Sequence, residues 1–213
     1  MKLYSYYRSS AAYRARIALN LKGCAYELVP VHLIRDGGAH RRPDYLGVNP
    51  QGLVPALDDD GTIVTQSLAI VEYLDARFPE PRLIPRDPAE RARVQSLAQI
   101  VACDIHPLNN LRVRRYLADE LGLDQDGVAA WSRRWIADGF RALEARLAQW
   151  SGGRYCYGDG VTIADVMLAP QVYNARALAC DLGAYPTLVR VADHLATLDA
   201  FVRAAPENQP DAD

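Results

Sequence analysis

Three stretches of this chain carry side chains whose types and spacing could do chemistry. The first is Arg8-Ser9-Ser10. It sits where an extended run with Leu3, Tyr4, Tyr6 and Tyr7 gives way to a helical pattern. In that pattern Ala11, Ala15, Ala18 and Leu19 recur at helical spacing, Arg14 and Arg16 fall on the other faces, and Gly23 closes the helix. A serine pair at a helix start offers two hydroxyls and several unpaired backbone N–H groups converging on one spot. Such a spot attracts an anion, a thiolate included. The plainer alternative is that Ser9 or Ser10 only caps the helix.

The second stretch is Gln66-Ser67, which opens a helix with Ile70, Val71, Leu74 and Phe78 on one face and Ser67 as a natural N-cap. The third is Cys103-Asp104-Ile105-His106-Pro107-Leu108-Asn109-Asn110, inside a long helix whose stripe is Val94, Leu97, Val101, Ile105 and Leu108. Pro107 removes a ladder hydrogen bond and kinks that helix, while His106 and Asn110, four apart, share a face. The alternative here is a polar kink packed on a neighbouring helix.

These stretches are positioned by two kinds of element. Tyr26 to Val31 reads as a second strand, parallel to the first, followed by a Gly- and charge-rich loop from Arg35 to Pro43. Val54-Pro55-Ala56-Leu57 begins a third strand with Pro55 at its first position, and Asp60-Gly61 turns it into Thr62-Ile63-Val64. The order β-α-β-(α)-β-β-α is thioredoxin-like. It lacks C-x-x-C, which argues against disulfide exchange. Pro79, Pro81, Pro85 and Pro88 break the chain at a domain boundary, and Asp87-Pro88 starts the long helix as N-cap and N1. Further helices read over Val128 to Trp150, Thr162 to Cys180 (with a capping box, Thr162 to Asp165) and Pro186 to Arg203. The fold class is therefore an α+β thioredoxin-like N-terminal domain, 1–80, a linker, 81–87, and an all-α domain, 88–213.

Composition excludes several classes. With 24 basic and 26 acidic residues dispersed along the chain, nothing points to a nucleic-acid groove or a membrane-binding face. No apolar run approaches the roughly 20 residues that span a bilayer, and the N-terminus lacks signal-peptide layout. Cys24, Cys103, Cys156 and Cys180 are far apart, as free thiols in a reducing cytoplasm would be. His32, His40, His106 and His194 have no metal-ligand spacing, and no G-x-S-x-G elbow is present.

Arg8-Ser9-Ser10-x-x-x-Arg14-x-Arg16-Ile17-Ala18-Leu19 resembles the N-terminal signature of the zeta-class glutathione transferases, whose best-known members are maleylacetoacetate isomerases. Asn49-Pro50-Gln51-Gly52-x-Val54-Pro55-Ala56-Leu57, Gln66-Ser67-x-Ala69-Ile70-x-Glu72-Tyr73-Leu74, the Cys103–Asn110 stretch and Asn208-Gln209-Pro210-Asp211 extend the resemblance over nearly the whole chain. It implies a cytoplasmic homodimer with glutathione as cofactor, and a cis peptide at Val54–Pro55. It implies thiol activation by Ser9, Ser10 and Arg8. It implies glutathione contacts at Ser10, His40, Val54, Pro55, Gln66, Ser67, Asp104, His106 and Asn110. Arg8, Asn110, Arg112 and Arg176 would meet the substrate.

The chemistry so implied is addition of the glutathione thiolate to a maleyl double bond, rotation, and elimination to the trans alkene. A free thiol titrates near about 8.5, and lowering it by two units takes about 2.7 kcal/mol. A helix N-terminus supplies up to about 2 kcal/mol and a hydrogen bond to a charged acceptor about 1.5–3, so no protein base is required. Two departures matter. Ala11 and Ala12 stand where many zeta enzymes continue Ser-Ser-Cys-Ser, so a mechanism leaning on that cysteine is excluded. Arg176-Ala177 stands where many maleylacetoacetate isomerases have Glu-Arg, and an arginine matching Arg176 is found in maleylpyruvate isomerases. Maleylacetoacetate is the first reading of the substrate and maleylpyruvate the second. Conjugation of small α-halo acids and a non-catalytic module are the further alternatives.

Overall fold

Strand β1 (Lys2–Ser5) pairs in parallel with β2 (Glu27–Pro30), Leu3 opposite Leu28, and antiparallel with β3 (Ala56–Asp59), Leu3 opposite Leu57. β3 turns back at Asp60-Gly61 into β4 (Thr62–Thr65), giving the sheet order β2-β1-β3-β4. Asp60 and Gly61 have φ of 51° and 93°, as a two-residue hairpin turn requires. Helix α1 (Ser10–Leu21) joins β1 to β2, α2 (Pro43–Leu46) follows two 3₁₀ turns at Arg35–Gly37 and Ala39–Arg41, and α3 (Ser67–Arg77) follows β4. Leu3, Ile17, Leu19, Leu57, Ile70 and Leu74 are fully buried between sheet and helices. The computed structural model describes residues 1–212. It divides into two compact units: Met1–Leu83 together with the chain from Thr197 onward, and Ile84–Ala196.

The second unit is helical: α4 (Pro88–Gln99), α5 (Leu111–Asp119), α6 (Gln125–Trp150), α7 (Ile163–Ala177) and α8 (Pro186–Leu195). Asp87 caps α4 as its sequence implies, accepting from the Ala89 and Glu90 N–H groups at 3.0 and 2.9 Å. The Asp165 carboxylate accepts from the Thr162 N–H at 2.8 Å and the Cys156 N–H at 2.7 Å. The long helix expected through Asn110 is not continuous. Beyond Gln99 the chain widens to a π-helix, Ile100–Ile105, where the His106 N–H donates to Val101 at 2.9 Å. It tightens to 3₁₀ at Pro107–Asn109, and Asn110, in extended conformation, caps α5. Pro107 has no N–H to continue the ladder, and the wide turn before it absorbs the defect. His106 and Asn110 therefore do not share a helix face. A side chain at Gly139 on α6 would collide with Ile105, so glycine is what lets α6 lie against this segment.

The single helix expected from Pro186 to Arg203 is two: α8 ends at Leu195 and α9 (Asp199–Ala204) begins in the other unit. The second unit thus ends at Ala196 rather than 213, because the tail supplies partners that α1 needs. Arg14 and Arg16, on the faces of α1 away from the alanine stripe, are 1% and 0% exposed. Arg16 donates to the Ala204 carbonyl at 2.9 Å, to Ser5 Oγ at 3.0 Å and to the Tyr7 carbonyl at 3.0 Å. Tyr13 and Asn20 donate to the carbonyls of Phe201 and Ala200. Buried charge survives only with such partners. Among the described residues, no helix is long and apolar enough to cross a membrane.

Candidate functional site

The turn from β1 into α1 is closed by the Ser9 N–H, which donates to the Tyr6 carbonyl at 2.9 Å. Ser9 is the N-cap, and its Oγ accepts from the Ala12 N–H at 3.2 Å. The capping duty falls on Ser9, whose hydroxyl proton remains to be donated, while Ser10 is the first helical residue. Among the described residues the Ser10 and Ala11 N–H groups have no partner, and the first turn has no acidic side chain. The positive end of α1 is left to an outside anion. Arg8 is exposed on the same turn.

At α3 the cap is Gln66, not Ser67 as expected: Ser67 is already helical. Gln66 has φ 69° and ψ 122° and makes no side-chain capping bond. A positive φ at a non-glycine residue costs on the order of 1–3 kcal/mol and is concentrated at ligand clamps. The Gln66 side chain instead donates to Gln51 Oε1 at 2.7 Å. Ser67 Oγ accepts from Arg14 Nη1 at 3.4 Å. A buried guanidinium on α1 thus reaches the start of α3 and adds cationic charge to a second helix N-terminus. Arg14 was not among the residues singled out from sequence. Its signal was the i,i+4 spacing from Ser10, which puts it one turn along the same side of α1.

Between these helix starts, Val54–Pro55 is a cis peptide, as the resemblance implied. Pro55 precedes β3 instead of occupying its first position. The β1–β3 ladder ends at Tyr4–Ala56, so the backbone of Val54 lies beyond it. The preceding carbonyl, Leu53, accepts from the Tyr45 hydroxyl at 2.6 Å and Asn49 Nδ2 at 2.7 Å. Burial pushes the Tyr45 hydroxyl up to about 12, so it stays a donor. His40 is buried in the 3₁₀ turn before α2; a side chain at Gly38, where φ is 93°, would collide with its imidazole.

The remaining residues lie in the second unit. Asp104 is exposed; His106 and Asn110 are half-buried. Asn110 Oδ1 accepts from the Arg112 N–H at 3.1 Å, which commits that oxygen to capping α5 and leaves Nδ2 to donate outward. The Leu108 carbonyl is held by Trp131 Nε1 at 2.8 Å. Arg112 is exposed. Arg176, in the last turn of α7, pairs with Asp193 on α8 at 2.6 Å, and both side chains are about half exposed. A substrate carboxylate would have to displace that partner. Ser9, Ser10, His40, Val54, Pro55, Gln66 and Ser67 thus share one unit, and Asp104, His106, Asn110, Arg112 and Arg176 the other.

The glutathione S-transferase N-terminal domain model matches residues 3–82, and the corresponding C-terminal domain model matches 125–206. A probable maleylacetoacetate isomerase of Vibrio cholerae is 50% identical over 99% of this chain and 97% of its own length. A maleylpyruvate isomerase solved in its holo form, described as a bacterial glutathione S-transferase of zeta class, superposes with a TM-score of 0.97 at 47% identity, covering 100% of both chains. The maleylacetoacetate isomerase of Methylobacterium extorquens, solved with bound malonate and glutathione, gives 0.92 at 46%, again over 100% of both. The chain belongs to the glutathione S-transferase family, in its zeta-class branch of maleylacetoacetate and maleylpyruvate isomerases.

Proposed function

We propose that this chain is a glutathione-dependent cis–trans isomerase that converts maleylacetoacetate to fumarylacetoacetate, working as a cytoplasmic homodimer. The observation that carries the reading is the open, acid-free start of α1, with two serines at its cap and first position. Its relatives, named for this activity at up to 50% identity, supply the reaction class.

The residues fit glutathione. The start of α3, with Ser67, Gln66 and the Arg14 guanidinium, suits the γ-glutamyl carboxylate. The Val54 backbone, beyond the β1–β3 ladder, suits the cysteinyl amide, and Pro55 fixes its direction. His40 completes the contacts proposed in the first unit. Bound glutathione supplies a sulfur nucleophile whose reversible addition across the electron-poor double bond allows rotation.

The chain's own contribution is to keep that sulfur ionised and to orient the substrate. Ser9 Oγ already holds the Ala12 N–H, which turns the serine proton outward as a donor. The Ser10 hydroxyl and the Ser10 and Ala11 N–H groups supply further donors, and no first-turn carboxylate opposes the charge. Together, a dipole worth up to about 2 kcal/mol and one charged hydrogen bond worth about 1.5–3 cover the roughly 2.7 kcal/mol required. Arg8, exposed beside the two serines, suits a substrate carboxylate by its planar fork.

Arg176, at a position where maleylpyruvate isomerases carry an arginine, favours a second reading, maleylpyruvate as substrate. The test is an absorbance assay on maleylacetone and on maleylpyruvate, with and without glutathione. Isomerisation that requires glutathione without consuming it supports the proposal, and the ratio of rates selects the substrate. Stoichiometric consumption with an α-halo acid and no isomerisation would replace it with conjugation.

A further inference from the structure

The segment from Thr197 to Asp211 reaches the turn that presents Arg8 and Ser9. Asp211 Oδ2 accepts the Tyr7 N–H at 3.1 Å, across 204 positions of sequence. The Tyr7 carbonyl accepts from Arg16 Nη2 at 3.0 Å, so both peptide groups flanking Tyr7 are held. The Tyr6 carbonyl takes the Ser9 N–H at 2.9 Å, which carries the restraint on to the cap of α1.

The tail is itself anchored. Gln209, a buried side chain, donates to the carbonyls of Arg203 and Ala205 at 2.8 and 2.9 Å, and Asn208 Nδ2 donates to Val202 at 2.8 Å. The other Asp211 oxygen, Oδ1, is buried and has no hydrogen-bond partner among the described residues. A buried carboxylate oxygen without a donor is costly and implies a reason for keeping the carboxylate there. Burial brings Arg16 down to about 10, against attraction from Tyr26, Asp211 and Tyr13, so it is a cation at neutral pH and balances the Asp211 charge. The ionisable groups of the turn and of the elements packed on it are Tyr6, Tyr7, Arg8, Tyr13, Arg16, Tyr26, His32 and Asp211.

We propose that Asp211 is a positioning residue for thiol activation: a carboxylate delivered from the end of the chain orients the Tyr7–Ser9 turn, and through it Arg8 and the two serine hydroxyls. The inference rests on the reading of the α1 start as the thiolate site. A displacement of about 1 Å at such a site can cost on the order of a hundredfold in rate.

The test compares full-length wild type with Asp211→Ala and Asp211→Asn. The readouts are isomerisation kcat/KM against pH, ultraviolet absorbance of the bound glutathione thiolate, glutathione Kd and the thermal midpoint. Asp211→Ala should lower kcat/KM about 10- to 100-fold and move its acid limb, and the thiolate titration, up by about one pH unit. Glutathione Kd should stay within about threefold, because its peptide contacts lie at α3 and Val54. Asp211→Asn keeps an oxygen for the Tyr7 N–H and should restore kcat/KM to within about threefold of wild type. An unmoved acid limb in Asp211→Ala, whatever its rate or midpoint, overturns the inference; so does failure of Asp211→Asn to recover. Absence of any thiolate titration in the wild type would instead bring down the underlying reading of the site.

Discussion

The two units differ in how their helices begin. In Ile84–Ala196 each helix start is closed by the chain itself. Asp87 caps α4, Asn110 caps α5 and Asp124 caps α6. Asp165 closes α7, and Glu144, reaching from α6, takes the Thr187 and Leu188 N–H groups of α8 at 2.9 and 2.8 Å. In the first unit, α1 has one hydroxyl as its cap, α3 has no side-chain cap, and neither carries an acidic residue in its first turn. The orphan N–H groups and the dipole are the same in both units. Apart from α5, whose Asn110 cap is neutral, what differs is the source of the negative charge. A start that the chain closes holds the fold; a start it leaves open has donors to spare for a ligand.

Substitutions should separate the two kinds. The largest effect belongs to the closed start of α7. Asp165→Ala strands the buried Cys156 and Thr162 N–H groups and should cost about 3–5 kcal/mol in urea unfolding, with activity lost only as folded protein is lost. Next comes the open start of α1. Ser9→Ala and Ser10→Ala should each leave a folded protein; the one that meets sulfur should lose about 10²–10³-fold in kcat, or about 2.7–4 kcal/mol. Ser9→Ala alone should also cost about 0.5–2 kcal/mol of stability as a lost cap. Unchanged kcat in both variants would remove the thiolate from this turn. At α3, Ser67→Ala should weaken glutathione about tenfold by calorimetry, with kcat near wild type at saturation. The smallest effect is expected from Gln66→Gly. Relief of the positive φ and the added chain entropy nearly cancel, so stability should move by less than about 1 kcal/mol while glutathione binding falls two- to threefold, roughly.

Much of this contrast was legible in the residues. Asp87-Pro88, Thr162 to Asp165, Asp60-Gly61 and Gly23 declare their local geometry because cap and turn preferences depend on near neighbours only. Arg8-Ser9-Ser10 marked the open start for the same reason. Ser67 was misplaced by one position because nothing local announces that Gln66 adopts a positive φ. Helical spacing sets Arg14 and Arg16 on faces other than the alanine stripe but does not say what they meet there. Their burial depends on Ser67 and on Ala204, partners 53 and 188 positions away. The break at Pro107 was visible as a kink, but the stripe through Ile105 and Leu108 hid the π-turn that precedes it and the fresh helix that follows. Helical periodicity continues across Ala196 while the partner the chain packs against changes, so α8 and α9 read as one helix in sequence.

Synthesis order gives the Arg16 network a consequence of its own. At about 5–20 residues per second, a ribosome makes Arg16 on the order of ten seconds or more before Ala204 and Asp211. Through that interval Tyr13, Asn20 and the Nε of Arg16 lack the carbonyls of Phe201, Ala200 and Ala204, while the rest of the Arg16 guanidinium has Ser5 and Tyr7 already in hand. Ile84–Ala196 is contiguous, begun later yet complete in all its parts sooner. The unit that starts first is therefore the later to close, and the turn bearing Ser9 and Ser10 takes its final form only after Ala204 and Asp211 have been made.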